Sequence, residues 1–242
     1  MQSAAATRAT DMTNAVAGRQ TGLPVVVLIS GRGSNLRAII NQVESAELPV
    51  TIRAVISNRP QATGLASARA AGIVTRVLDH RDFPDRASFD KALAEVIDGY
   101  APRLVVLAGF MRILTPDFVR HYQGRLVNIH PSLLPAFRGL HTHERALQAG
   151  VRTHGASVHF VTVELDGGPV FLQAKVPVRA DDSAERLADR VLEQEHRLYP
   201  MAIRLIAEHR LQLEDEGVLF DGKPLRQPLD LDTLQRRGLV VP

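Results

Sequence analysis

The feature that most constrains the fold is an uninterrupted apolar run near the start of the chain, Pro24-Val-Val-Val-Leu-Ile-Ser30. A continuous β-branched run of this length is typical of a strand covered on both faces, as in a parallel sheet. The run breaks at Gly31-Arg-Gly-Ser-Asn35, and apolar residues then recur at helical spacing from Leu36 to Val43. The sequence therefore predicts a buried strand, a turn containing glycine and a helix.

Strand-like and helix-like segments continue to alternate up to about residue 150. Further strands are predicted at Val50–Ser57, Val74–Leu78, Leu104–Leu107 and Arg125–Ile129, and helices at Ala62–Ala71, Ala87–Ile97 and near Pro116–His121. Repeated β-α units favour an open, mostly parallel twisted sheet with right-handed crossovers and helices on both faces. The predicted class is therefore α/β, with a Rossmann-like arrangement.

The last third of the chain departs from this alternation. Ser157–Thr162 and Val170–Val178 flank Asp166-Gly-Gly168, which predicts a strand–turn–strand unit. Ser183 is a candidate N-cap for a long helix. Because the sequence shows no internal repeat or low-complexity linker, we expect a single domain over 23–225, with a disordered extension over 1–22 and a tail over 226–242.

Composition excludes several classes of function. The chain has no cysteine, which rules out disulfides and thiolate catalysis and fits a cytoplasmic setting. Its 29 Lys and Arg against 26 Asp and Glu give a net charge of +3, but the basic residues form no stripe along one helix. No apolar run approaches the roughly 20 residues of a membrane span. We therefore expect neither a nucleic-acid partner nor a membrane.

The turn Gly31–Asn35 has two interpretations. Its glycines allow a ligand to approach the backbone, and free N–H groups at a helix start favour a phosphate. A tight strand–helix turn with Ser34 as N-cap explains the same residues equally well. Leu36 stands where a dinucleotide fingerprint has its third glycine, and no acidic residue closes the second strand, which opposes a nicotinamide-dependent dehydrogenase.

Two later motifs carry candidate catalytic groups. Asn128-Ile-His130 ends a predicted strand, where open α/β sheets place their ligands, and strand alternation puts Asn128 and His130 on the same side. An amide and an imidazole there could stabilise an oxyanion and move a proton, or could simply hydrogen-bond within a proline-rich loop. Asp166 could keep such an imidazole protonated, or could serve only a turn.

Four further histidines raise the question of a metal site, namely His141, His143, His154 and His159. His141 and His143 have a spacing that suits one face of a strand, and the sequence contains no HExxH pattern. We expect no metal, and we expect these side chains to cap, pack or line a pocket.

Taken together, these segments resemble the phosphoribosylglycinamide (GAR) formyltransferase family from about residue 24 to 225. The matching motifs, in order, are Gly31-x-Gly-Ser-Asn-Leu36, Leu107–Leu114, Asn128–Pro135, Gly139–His143, His154–Thr162, Glu164–Pro169 and Gln173–Pro177. The resemblance implies the formyltransferase form of the Rossmann-like fold. It also implies transfer of formyl from 10-formyltetrahydrofolate to the amine of GAR in purine synthesis, without a metal. We expect a monomer or weak homodimer.

The resemblance also implies roles for individual residues. Asn128, His130 and Asp166 match catalytic positions: the first two would stabilise the oxyanion that forms when the amine attacks the formyl carbon, and Asp166 would keep His130 charged. GAR-binding positions are matched by Gly33, Ser34, Asn35 and Glu195, and folate-binding positions by Arg86, Met111, Arg112, Ile113, Leu114 and Asn128. Without the resemblance, Glu195 reads as a solvated helix charge and Ile113 and Leu114 as core.

The chain departs from the family pattern at Arg32 and at Ala136-Phe-Arg138, which affects loop shape and folate affinity but leaves the catalytic positions unchanged. Methionyl-tRNA formyltransferase is expected to need a further C-terminal domain, and formyltetrahydrofolate deformylase an N-terminal regulatory domain, which the sequence does not accommodate. The alternatives are the deformylase activity and a catalytically silent ligand-binding relative.

Overall fold

The structure is a computed structural model that describes residues 22–215, 217–236 and 238. The strands are β1 (Leu23–Ile29), β2 (Val50–Ser57), β3 (Thr75–Val77), β4 (Leu104–Leu107), β5 (Leu126–His130), β6 (Thr153–Phe160), β7 (Val170–Pro177), β8 (Leu211–Glu214), β9 (Gly217–Phe220), β10 (Lys223–Pro224) and β11 (Leu229–Asp230). The helices are α1 (Ser34–Glu44), α2 (Gly64–Ala70), α3 (Arg86–Asp98), α4 (Pro116–His121), α5 (Thr142–Gln148), α6 (Ala184–Ala207) and α7 (Leu231–Arg236), with a 3-10 turn at His80–Asp82. Nearly all of the predicted extension, residues 1–21, lies outside the described residues.

Eight strands form the central sheet in the order β11-β7-β6-β5-β4-β1-β2-β3, and β8 to β10 form a small antiparallel sheet. Strands β1 to β5 are mutually parallel, whereas β6 runs antiparallel to both of its neighbours. The chain lays β2 and β3 on one side of β1, then crosses to place β4 and β5 on the other side. The predicted mostly parallel α/β sheet is confirmed.

Successive residues of β1 belong to two different cores. Val25, Val27 and Ile29 pack in the cluster that includes α1, α2 and α6, while Val26 and Leu28 pack in the cluster that includes α3 and α4. Because side chains alternate between the faces of a strand, these two clusters lie on opposite faces of the sheet. The continuous apolar run is thus explained by helices on both faces, as predicted.

Most predicted elements agree with the structure to within a few residues, with three differences. Helix α5 was not predicted, because its sequence is short and polar and it begins after His141, which has a left-handed backbone (φ 56°). The predicted strand Ser157–Thr162 instead spans Thr153–Phe160. The connection that carries Asp166 therefore spans 161–169, two residues longer than the 163–169 left between the predicted strands.

Part of the predicted C-terminal tail packs against the main sheet. Leu229 and Asp230 pair in parallel with β7, and Leu231 and Leu234 of α7 are buried. A tail that begins at residue 226 therefore stays a prediction. The pairing of β11 with β7 does not favour it, because it joins residues beyond 226 to the main sheet. No helix in the described part of the chain combines the length and apolar character that crossing a membrane requires.

Candidate active site

The candidate site lies where β1, β4 and β5 end. These three strands are parallel neighbours, so the segments that follow them emerge at one edge of the sheet. Ligands of open α/β sheets bind at this edge, beside the point where the strand order reverses. Here that point lies between β1 and β4. The topology therefore brings together the turn after Ser30, the segment after Leu107 and the end of β5 at His130.

The turn after β1 packs directly against the main chain at the start of α2. Gly33 is the N-cap of α1 with φ 68°, a conformation that favours glycine, and a Cβ placed there would lie 2.8 Å from the Cα of Gly64. Gly64 also donates its N–H to the Gly31 carbonyl at 3.1 Å. Ser34 is the first helical residue, and no side chain caps the helix start. The interpretation with Ser34 as N-cap is therefore wrong, and the first N–H groups of α1 receive no side-chain cap.

Two of the predicted GAR-binding residues meet although they lie far apart in sequence. Asn35 of α1 donates from Nδ2 to Glu195 Oε2 of α6 at 2.7 Å, and both side chains are more than nine-tenths buried. Burial raises the pKa of Glu195, and the hydrogen bond from Asn35 opposes that rise. Glu195 is therefore not a solvated helix charge but a buried carboxyl group beside the start of α1.

His130 lies between two acceptors. Its Nε2 is 3.0 Å from the Phe137 carbonyl, which can only accept, so Nε2 carries a hydrogen. Its Nδ1 is 3.5 Å from Asp166 Oδ2, and both side chains are less than one-tenth exposed. Asp166 Oδ2 also accepts from the Gly139 N–H at 2.8 Å. Each ring nitrogen of His130 therefore faces an acceptor, a backbone carbonyl on one side and a carboxyl group on the other.

The loop that supplies the Phe137 carbonyl is held by buried side chains. Ser157 Oγ donates to the Ser132 carbonyl at 2.7 Å and accepts from the Leu134 N–H at 3.0 Å. Gln173 Nε2 donates to the Leu134 carbonyl at 3.0 Å. Strands β6 and β7 therefore fix the loop after β5, and with it one of the two partners of His130.

The family departure at Arg138 has a defined partner. Its Nη1 donates to Glu164 Oε1 in the loop over 161–169. Its carbonyl accepts from Arg145 of α5 at 2.6 Å. Arg138 thus ties the loop after β5 to the loop that carries Asp166, and within the described ranges it makes no hydrogen bond or ion pair with any of the three catalytic candidates.

Asn128 faces a residue that sequence reasoning did not select. In the antiparallel pair β5–β6 it lies directly opposite His159, and its Nδ2 is 3.2 Å from His159 Nε2. His159 Nδ1 lies 3.0 Å from the Phe160 carbonyl and so carries a hydrogen, while burial lowers the pKa of the ring. The neutral ring therefore accepts at Nε2, which fixes the Asn128 amide with Nδ2 toward His159. Only the strand register reveals this pair.

The segment after β4 presents apolar side chains to solvent. Met111 and Ile113 are 62% and 58% exposed, so two apolar side chains of this short segment are available to contact a ligand. Arg112 stacks its guanidinium 4.5 Å from the Phe89 ring of α3. Arg86 begins the same helix three residues earlier, and its side chain is exposed. Four of the predicted folate-binding residues thus form one segment, Arg86 lies one helical turn from Phe89, and Asn128 lies on β5 beside β4.

The remaining histidines form no metal site. Within the described ranges, no three His, Asp or Glu side chains are grouped to hold a metal ion. His143 and His154 pack edge to face with ring centroids 5.3 Å apart, and His141 is largely exposed. Burial, aided by the neighbouring His143, lowers the pKa of His154 to about 4.

This shift predicts a pH dependence of stability. We expect the free energy of unfolding to fall as the pH drops from about 6.5 to about 4, because the unfolded chain takes up a proton on His154 that the folded protein does not bind. The slope from this group is at most about 1.4 kcal/mol per pH unit. Urea unfolding across this range measures it. His154→Phe should make the slope shallower, and the exposed control His209→Asn should leave it unchanged.

Comparisons with known proteins identify the family of this chain. Residues 23–203 match the sequence profile of the family described as formyl transferase. The chain belongs to the formyl transferase family. Among curated members, phosphoribosylglycinamide formyltransferase from Escherichia coli (strain K12) is 55% identical over 201 residues, 83% of this chain and 95% of that protein.

Solved structures of formyl transferases agree as well. The phosphoribosylglycinamide formyltransferase of Coxiella burnetii superposes with a TM-score of 0.81 at 51% identity, covering 84% of this chain and 96% of that one. A formyltetrahydrofolate deformylase from Pseudomonas syringae pv. tomato is 28% identical with a TM-score of 0.77, and the match covers 67% of its length. By sequence identity, the chain is more similar to the transferase of Coxiella burnetii than to this deformylase.

Proposed function

We propose that this formyl transferase moves the formyl group of 10-formyltetrahydrofolate to the amine of 5′-phosphoribosylglycinamide, a step of purine synthesis. The observation that carries the proposal is the buried pair of His130 and Asp166 beside Asn128, at the sheet edge where ligands bind. The names and extensive identity of the bacterial relatives support the same substrates.

The three side chains suit an acyl transfer. As the amine nitrogen bonds to the formyl carbon, the formyl oxygen gains negative charge, and Asn128 Nδ2 has one N–H left to donate to it. Because His130 Nδ1 faces Asp166, its Nε2–H can turn from the Phe137 carbonyl and donate to the same formyl oxygen. The bond between the formyl carbon and the folate nitrogen then breaks. The amine loses one proton and the departing nitrogen gains one, with His130 placed to assist.

The binding residues fit the two ligands. A phosphate suits the uncapped N–H groups of α1 at Gly33, and Glu195 lies behind Asn35 to accept from sugar hydroxyls. In the part of the chain that the structure describes, the N–H groups of Arg112, Ile113 and Leu114 make no hydrogen bond. Free backbone groups beside exposed apolar side chains suit a flat ring with polar edges. Bound there, the reduced folate supplies the activated formyl group.

An absorbance assay of folate turnover tests the proposal. With purified protein, GAR and 10-formyltetrahydrofolate, we expect the absorbance of product folate to rise only when GAR is present. Turnover without GAR would assign the deformylase activity instead. No turnover under any condition, with both ligands still bound, would assign a silent binding protein.

Replacing Glu195 by Ala should raise the KM for GAR about tenfold, because Asn35 loses its buried partner and the ligand loses an acceptor. The KM for the formyl folate should change less than twofold. Glu193→Ala on the exposed side of the same helix is the matched control. Steady-state kinetics with each substrate varied in turn give both constants, and an unchanged KM for GAR would contradict the proposed role.

The cellular location, oligomeric state and partners of this protein stay predictions. We propose action in the cytoplasm as a monomer or weak homodimer, on these small molecules and without nucleic acid. Sedimentation analysis of the purified protein measures the oligomeric state.

A further inference from the structure

The segment Met111–Leu114 is anchored at both ends by buried polar side chains from other elements. Met111 donates its N–H to Ser30 Oγ at 2.8 Å, and Thr115 donates its N–H to Asp90 Oδ2 at 2.6 Å. Between these anchors, the backbone N–H groups are free among the described residues. A short segment with fixed ends and free polar groups is pre-organised for a ligand.

Ser30 reaches the segment from the end of β1. Its side chain is buried, and its hydroxyl donates to Asn58 Oδ1 at 2.5 Å while accepting from Met111. Asn58 is 1% exposed and follows β2 directly. The hydroxyl therefore has one donor and one acceptor partner, which determines its orientation. Through it, the ends of three neighbouring strands share one hydrogen-bond chain.

Asp90 reaches the other end from α3. It is 2% exposed, its Oδ1 makes no hydrogen bond and, across the described ranges, it makes no ion pair. Burying a carboxyl group with a single hydrogen bond is unfavourable for stability compared with an apolar side chain. Its contribution is therefore to hold the backbone in place. It fixes Thr115, the N-cap of α4, which directly follows the segment.

We propose that Ser30 and Asp90 are positioning residues that hold Met111–Leu114 in the shape that receives the reduced folate. The inference rests on the proposed function, because that function places the folate at this segment. Neither side chain needs to touch the ligand. Both act by keeping Met111 and Thr115 in place before the ligand arrives, so that little ordering is left for the binding step.

The test separates folate binding from GAR binding and from stability. Ser30→Ala removes the acceptor for Met111, and Asp90→Ala removes the acceptor for Thr115. We expect each to raise the KM for 10-formyltetrahydrofolate and the Kd for tetrahydrofolate about tenfold, with the KM for GAR within about twofold. Asp90→Asn keeps an oxygen acceptor without the charge, and it should restore most of the lost affinity. The matched control is Ser45→Ala, an exposed serine at the end of α1.

The outcomes distinguish this proposal from the proposed function. If the wild type transfers formyl to GAR but both alanine variants bind tetrahydrofolate normally, the positioning role is overturned while the function stands. Equal rises in both KM values, or an Asp90→Asn variant as weak as Asp90→Ala, would also overturn it. If Asp90→Ala does not fold, Ser30→Ala and Asp90→Asn still decide the question. If the wild-type protein itself showed no transfer of formyl to GAR, that result would count against the proposed function.

Discussion

Replacing His130 by Ala should lower kcat by about 100- to 1000-fold, because the transition state loses a charged donor at the formyl oxygen. The ring is buried between the Phe137 carbonyl and Asp166, so its removal leaves the carbonyl without a donor and Asp166 Oδ2 with the Gly139 N–H alone. We expect a modest loss of stability from this, and dissociation constants for GAR and folate within a fewfold of the wild type. Single-turnover kinetics and ligand titration separate the two effects.

The matched control for this variant is His121→Ala. His121 lies at the end of α4, just before β5 begins, and is therefore at the opposite edge of the sheet from the candidate site. It pairs with Asp98 on the surface, where an ion pair contributes little to stability. Activity of His130→Ala close to that of His121→Ala would reject the mechanism.

Replacing Asp166 by Asn should lower kcat by about 100-fold or more while changing the thermal midpoint little. The amide oxygen can still accept from the Gly139 N–H, so the loop stays in place. Because Asp166 Oδ2 faces both this N–H and His130 Nδ1, the amide oxygen also stays beside the ring, and the amide nitrogen replaces Oδ1 at 3.8 Å from His159 Nε2. His130 then has no negative charge beside Nδ1, which favours the neutral ring where the carboxylate favoured the imidazolium. A neutral ring offers the formyl oxygen much weaker stabilisation.

The comparison with Asp166→Ala sharpens this prediction. Ala removes both the charge and the acceptor for Gly139, so it should lose stability as well as rate. If Asp166→Asn retained wild-type kcat, the charge on Asp166 would have no part in the reaction. A fall in kcat with a matching fall in folded fraction, measured by circular dichroism, would assign Asp166 to loop structure alone.

The sequence predicted the central sheet well because each buried strand carries a signal of its own. Val25 to Ile29 face helices on both sides, and such a strand must be apolar throughout. Helix α5 and the exact ends of β6 carry no such signal, since α5 is short and polar and β6 begins opposite the end of its antiparallel partner β7 and ends opposite its start. Their bounds are set by tertiary packing, not by local pattern.

In the candidate site, too, some features follow from local sequence pattern and others depend on tertiary packing. Asn128 and His130 could be paired from strand alternation, because both lie on β5. The partners of these groups could not be derived in this way, since His159 comes into register only through β5–β6 pairing and Phe137 contributes a carbonyl. The residues alone left open whether Asp166 meets His130 or serves only a turn, the family resemblance favoured the pair, and the structure brings the two to 3.5 Å. Distant contacts of this kind need the fold.

The close approach of Gly33 and Gly64 has a thermodynamic consequence. Two main chains in direct contact form the wall of the turn after β1, so no side-chain rotamer there has to be frozen when an anion enters. An anion bound at this turn would therefore lose little affinity to conformational entropy. A Cβ at Gly33 would lie 2.8 Å from the Cα of Gly64, so a side chain there would force the two main chains apart and change the shape of the turn.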